Sequence, residues 1–554
     1  MMGGTTSSSV FLLHFFVLPF GCALLPQPKF SSPHGSSSSR VLATSTDSVL
    51  VSEFASLRRI CCNRELDMKD IKAVGFDMDY TLAQYNYEFD MLAFEGAKEK
   101  LIGMGYPKKS VLSFRFDPTE HRRGLVIDKA LGNILKVDRH KYTRTAFHGR
   151  KKELSPAERK KAYVGVVADE TPQFVGDAYV NVDSLFQLID ASLFAQVVDV
   201  IDDEEAWGGN QRPSYFRAYR DVRRAVDLCH HDGVIKDRVA AEPERYILPD
   251  DNLIPMLENF RLAGKKVFFL TNSLFDYSNV VMNFLTNSPV EGRDWLDLFD
   301  VVVVGAGKPA FLSPDARQRE MLRVDVTTNV GTLHNLRGSP VSEIGAEKFL
   351  NREGKVFQGG GYKDLHSILD VDVGSQVLYV GDHIYGDVVR SKRSLGWRTA
   401  LVVPELEDEL RIATTQDDYT SKLVHCQKHC EKAEAKTDDI LLKSLRAQKR
   451  NDNSSDHFTI DLEAANKERQ RARDALRDLR LEINAKYHPT WGPMFRTGYA
   501  ASRFAKQVLD YACIYTSRAS NLGQCSPLHH FRPPADALPH DDQVVLTGGT
   551  TDED

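Results

Sequence analysis

Cysteine is scarce and irregularly placed, with eight in 554 residues, Cys61 and Cys62 adjacent. That excludes a disulfide framework and fits a reducing compartment. Neither sign of charge dominates: 71 basic residues face 77 acidic ones for a formal charge of −6. No broad positive field results, so no nucleic-acid partner is expected. Beyond the N-terminal region no apolar run approaches the roughly twenty residues of a membrane span, so no membrane is expected for the mature body. Internal repeats are missing, and so is the GxxxxGK[ST] spacing of a phosphate-cradling P-loop. What remains is a chain with 42% apolar residues, enough to bury the cores of two or three lobes.

The first fifty or so residues differ from the rest, with an apolar run from Val10 to Leu25 broken by His14, Pro19 and Gly21, then a Ser-rich stretch from Ser31 to Ser48. This pattern reads as a targeting segment, with import into a plastid or mitochondrion expected and a cytoplasmic protein as the alternative.

Short β-rich runs recur at Ile71 to Phe76, Lys266 to Leu270, Asp300 to Val304, Val377 to Val380 and Thr399 to Val403. Their near-continuous apolar character suits a parallel sheet covered on both faces, which makes the fold class α/β. The division expected is a hydrolase core in two parts, 51–84 and 251–410, split by an inserted cap over 85–250. A helical C-terminal extension over 411–534 and a disordered tail over 535–554 follow. The insertion is far longer than a crossover needs, and Val182 to Val200 and Tyr215 to Leu228 carry apolar patterns of their own. Closing over a site to exclude water is its natural task. Leu462 to Ile483 reads as a charged helix with a sparse Leu/Ala stripe, compatible with a homo-oligomer.

Four strand ends carry the chemistry. Gly75 to Leu82 sets Asp77 and Asp79 two residues apart as a strand ends. Asp77 can attack phosphorus in line to give an acyl phosphate, and Asp79 can protonate the leaving oxygen and later take a proton from water. Taken alone, the pair is equally a helix cap. Thr271, Asn272 and Ser273 end a second apolar run as neutral donors for phosphate oxygens. Gly305-Ala306-Gly307-Lys308 presents a lysine that would balance phosphoryl charge. Gly381-Asp382, with Asp387 five residues on, offers hard oxygen ligands. Mg²⁺ is therefore the expected cofactor, held by Asp77, the Asp79 carbonyl and Asp382, with Asp387 orienting Lys308 or a water on the metal. His425, Cys426, His429 and Cys430 fall within a short charged helical stretch and read as helix surface rather than a metal site. Trp491, Phe495 and Tyr499 have helix-compatible spacing and read as packing.

These blocks, together with Cys62-Asn63-Arg64, Arg123 to Asp128, Gly132 to Asp138, Gly396 to Thr399 and His488 to Arg496, resemble the cytosolic purine 5′-nucleotidases and the 5′-nucleotidase domain-containing proteins, within the haloacid-dehalogenase-like hydrolases. The resemblance implies a Rossmann-like core with a cap, and Mg²⁺-dependent hydrolysis of nucleoside 5′-monophosphates. After His148-Gly149 an aromatic, base-stacking stretch of the purine-specific branch gives way to Arg150-Lys151-Lys152-Glu153, which puts purine preference in doubt. His148 and Arg150 are the cap candidates for touching the nucleoside or its phosphate, with a solvated basic turn as the alternative. The other readings are a phosphatase for a different small phosphomonoester and a non-catalytic scaffold that keeps the fold.

Overall fold

The computed structural model describes residues 58–164, 174–209, 211–288, 294–314, 319–328, 330–415, 417–449 and 455–535. The N-terminal segment read as a targeting signal and nearly all of the tail lie outside them. Among the described residues no helix is long and apolar enough to cross a membrane.

A ten-stranded sheet forms the core. Its parallel strands are β1 (Ala73–Phe76), β2 (Lys266–Leu270), β3 (Val301–Val304), β4 (Val356–Gly359), β5 (Val377–Gly381), β6 (Arg398–Val402) and β7 (Ile514–Thr516). In space they run β7-β6-β5-β1-β2-β3-β4. Cys61–Cys62 pairs antiparallel on the outside of β7, and Met321–Asp325 with Thr332–Asn335 closes the other edge. The central strands are apolar because both faces are covered: all four valines of β3 and every residue of β1 are buried. Gly75 sits opposite Phe268 on β2, and a Cβ there would lie 2.0 Å from the Phe268 ring. Any side chain at position 75 would therefore have to displace the buried Phe268 ring. The chain leaves β1 in one direction through β2, β3 and β4, then returns to β1's other side with β5. The crevice at the carboxyl ends of β1 and β5 is thus the topological switch point, where parallel sheets gather their ligands.

The insertion between β1 and β2 is drawn in at its neck by a two-stranded pairing, Tyr85 opposite Ile247 and Gln84 opposite Leu248. Inside it an antiparallel five-stranded sheet, including Leu125–Asp128, Asn133–Val137 and Thr143–His148, accompanies the helices Tyr87–Gly103, Phe186–Asp202 and Tyr215–His231. The two apolar patterns read from the sequence are the second and third of these helices.

The C-terminal region begins with two long helices, Asp417–Lys449 and Ser455–Tyr487. They form an antiparallel hairpin, tied by Tyr419 to Glu482 at 2.7 Å and Lys436 to Glu468 at 3.0 Å. Cys430 packs in their seam against Ala433, Ala472 and Leu476. The rest of this extension is not helical throughout: β7 returns to the core sheet, and His530–Phe531 pairs with Leu66–Asp67. Trp491 and Phe495 lie in the turn after the hairpin, not on a helix, and Trp491 packs edge-on to Phe147 with ring centroids 5.3 Å apart.

Candidate active site

Asp77 follows β1 directly, and its amide donates to the Val380 carbonyl of β5 at 3.0 Å. The chain then reverses: the amides of Thr81, Leu82 and Ala83 all donate to the Met78 carbonyl, and Tyr80 takes a left-handed φ of 53°. Asp79 projects from this reversal, and its carboxylate accepts the Tyr85 hydroxyl at 2.6 Å and the Ser273 hydroxyl at 2.7 Å. Burial pushes both acids up to about 6, against Lys308 in the case of Asp77 and against the Tyr85 hydroxyl in that of Asp79.

Gly305 and Gly307, at φ 52° and 74°, form the turn after β3 that delivers Lys308. Its ammonium lies 2.9 Å from Asp77 Oδ2, 2.8 Å from Asp387 Oδ1 and 2.9 Å from the Tyr379 hydroxyl. All three of its N–H donors have an acceptor, which is what a buried ammonium requires. Burial opposes the charge, yet Asp387 and then Asp77 hold the lysine well above its ordinary value.

Asp382 follows β5 directly and leads into a π-helical turn, Ile384–Val389, that carries Asp387 back toward Gly381. A Cβ on Gly381 would meet the Asp387 carboxylate at 2.6 Å, so the approach depends on glycine. Burial, then Asp387 and Asp77, raise Asp382 well above the carboxylate range. Its Oδ2 is buried and has no hydrogen-bond partner.

Ligand oxygens of Asp77, Asp382 and Asp387 lie within 4.8 Å of one another. Three crowded carboxylates, one with an orphaned buried oxygen, fit a hard divalent cation that takes oxygen ligands. Among the described residues this is the group of acids, histidines and cysteines that converges in such a way; His425, Cys426, His429 and Cys430 make no such group. The Asp79 carboxylate lies outside the cluster, so any share of a cation would fall to its carbonyl.

Asp77, Asp79, Ser273, Lys308, Asp382 and Asp387 therefore meet at one crevice. Thr271 is buried beside them, its hydroxyl accepting the Ser273 amide at 3.2 Å. Asn272 differs from expectation. Instead of facing a phosphate, its side chain accepts the Lys308 amide at 2.7 Å and donates to the Lys308 carbonyl at 3.1 Å. His148 and Arg150 are not brought to the acids either. His148 is held by Asn133 at 2.9 Å and Asp202 at 2.8 Å, and Arg150 pairs with Glu120 while its amide donates to Asp199. Asn133 and Asp202 hold the His148 ring and Glu120 holds the Arg150 guanidinium, so both side chains are engaged within the cap. Tyr379 and Tyr85 were missed by sequence reasoning. A lone hydroxyl in the apolar strand Val377–Gly381 is the signal that could have found Tyr379, which donates to the Leu270 carbonyl at 2.9 Å while accepting from Lys308.

A capped parallel α/β core with an aspartate nucleophile candidate, an adjoining acid, and a lysine among acids at the switch point is the equipment of a phosphomonoester hydrolase. The chain belongs to the 5′ nucleotidase family, whose model matches residues 60–543. It is 28% identical over 492 residues to the 5′-nucleotidase domain-containing protein 2 of Rattus norvegicus, covering 87% of this chain and 80% of that one. Solved structures that align include CbbY from Rhodobacter sphaeroides in complex with phosphate, at 12% identity and a TM-score of 0.23 over 60% of this chain and 86% of that one. A haloacid-dehalogenase-like family hydrolase from Xanthomonas campestris aligns at 12% identity and a TM-score of 0.21, over 64% and 94% of the two chains.

Proposed function

We propose that the protein is a Mg²⁺-dependent 5′-nucleotidase that releases inorganic phosphate from nucleoside 5′-monophosphates through a phosphoryl-aspartate on Asp77. The observation that carries this reading is the meeting of Asp77, Lys308, Asp382 and Asp387 at the carboxyl ends of β1 and β5. Asp77, Asp382 and Asp387 would hold the cation, which when bound neutralises carboxylate and phosphate charge that would otherwise repel. Asp77 contributes a carboxylate oxygen that bonds to phosphorus as the bond to the ester oxygen breaks. Asp79, raised to about 6, gives its proton to that departing oxygen, so the nucleoside leaves as a neutral alcohol. Water then attacks phosphorus, Asp79 takes back a proton, and Asp77 is released with inorganic phosphate. Lys308 stays protonated throughout and balances charge on the phosphoryl oxygens.

A phosphate-release assay across purine and pyrimidine 5′-monophosphates, sugar phosphates and phosphorylated cofactors, with Mg²⁺ and with chelator, tests the proposal. Turnover of nucleoside monophosphates only with Mg²⁺ is expected. Turnover confined to another monoester would replace the substrate class, and no turnover of any would favour a scaffold.

A further inference from the structure

Arg123 stands at the entrance to the first cap strand, and its side chain is fully buried. Its guanidinium grips Glu405, beyond β6, as a fork on a fork: Nε to Oε1 at 2.8 Å and Nη2 to Oε2 at 2.5 Å. The remaining arm, Nη1, donates to the main-chain carbonyl of Asp382 at 3.0 Å. The ring of Phe504, from the C-terminal region, lies 5.7 Å from the guanidinium carbon. The next residue, Gly124, has a φ of +87°, and a Cβ on it would lie 2.5 Å from Phe504 Cβ. The chain turns Arg123 inward at that point because no side chain obstructs it.

Stability alone does not account for burying the whole guanidinium, since well-packed apolar side chains serve a core at least as well as a charge paired to a half-buried partner. The destination of the third arm is what matters. It fixes the backbone of the residue whose carboxylate oxygen is buried without a partner. Mg²⁺ demands near-ideal octahedral geometry, so a ligand in the short link between β5 and the π-helical turn Ile384–Val389 gains from being held from outside.

We propose that Arg123 is a positioning residue for the cation: anchored by Glu405, it sets the Asp382 backbone from the cap, so that the cap's first strand and the cation-binding loop are held in register. This rests on reading Asp77, Asp382 and Asp387 as the cation site. By thermodynamic linkage, a cation that orders the loop must also tighten the Arg123 junction.

The test is calorimetric titration of the full chain with MgCl₂, alone and as Arg123→Met, Arg123→Lys and Glu405→Gln. Arg123→Met is expected to weaken Mg²⁺ binding about tenfold or more, with Arg123→Lys between it and the wild type, and Glu405→Gln weaker than wild type. At saturating Mg²⁺ the substrate KM should change less than about twofold, because Arg123 touches the loop and not the ester. A merely structural arginine would lower the melting temperature and leave the Mg²⁺ titration of the folded variants unmoved, and that result overturns the proposal. Should the variants fail to fold, hydrogen exchange on the wild type decides. Added Mg²⁺ should protect both 382–389 and 123–126, and protection confined to 382–389 overturns the proposal. A wild type that does not bind Mg²⁺ at all would overturn the cation-site reading and this inference with it, whereas normal wild-type binding with unmoved variants overturns this inference alone.

Discussion

Asn272 and Lys308 hold each other by two backbone-directed hydrogen bonds, one at 2.7 Å and one at 3.1 Å, across the ends of β2 and β3. The amide side chain thereby fixes the lysine's main chain, and the lysine's position among Asp77, Asp387 and Tyr379 follows. Asn272→Ala should lower kcat about tenfold to a hundredfold with a smaller change in KM. The two lost bonds should cost about 1–3 kcal/mol of stability. Steady-state kinetics and thermal melts check both.

Asp77→Asn removes the attacking oxygen's charge while leaving the strand end the same shape. Phosphate release should fall by about a thousandfold or more, and the fold should persist by circular dichroism. Rapid quench with a labelled substrate should trap a phosphorylated wild-type chain and none in the variant.

Tyr85 donates to Asp79 and lowers a carboxyl group that burial has raised to about 6. Tyr85→Phe deletes that donor, so Asp79 should keep its proton to a higher pH. Since the first step needs Asp79 protonated, the descending limb of kcat/KM against pH should move upward, by about half a unit to one unit. A limb that stays or moves down would remove Asp79 from the acid's role.

Asp382 is buried and raised well above the carboxylate range by that burial and by Asp387 and Asp77. Its charge therefore opposes folding when no cation is present. Asp382→Asn should melt higher than the wild type in chelator and lose the Mg²⁺-induced rise in melting temperature, a rise that amounts to about 2.7 kcal/mol at a hundredfold excess over Kd. Differential scanning fluorimetry with and without MgCl₂ reads both effects.

Lys136, on a cap strand, is buried and donates to the carbonyls of Trp491 and Pro493. Burial lowers it from 10.5 to about 7, with Glu409 opposing. Between those values the unfolded chain holds a proton that the folded chain lacks, so stability rises with pH across the window and the penalty is complete below it. Urea melts from pH 7 to 9 should show this rise in the wild type and a shallower one in Lys136→Met.

The five central strands were legible because a strand buried on both faces writes itself as an unbroken apolar run, as in Val301–Val304. β4 and β7 were not, since Val356–Gly359 contains Gln358 and a glycine, while Ile514–Thr516 is only three residues long. Asp77, Lys308 and Asp382 were legible because each follows such a run at the end where ligands collect. The true work of Asn272 was hidden, because an amide that serves a neighbouring loop has the same letters around it as one that serves a ligand. His148 and Arg150 show the same limit: their acidic partners Asp202, Asp199 and Glu120 lie 30 to 54 positions away.

Strand β7 is laid between β6 and the opening pair Cys61–Cys62. A nascent polypeptide must therefore extend past Thr516 before Cys61–Cys62 finds its neighbour, and until then the flank of β6 is bare. Synthesis halted after the helical hairpin would yield a species with an open hydrogen-bonding margin, prone to join others like itself.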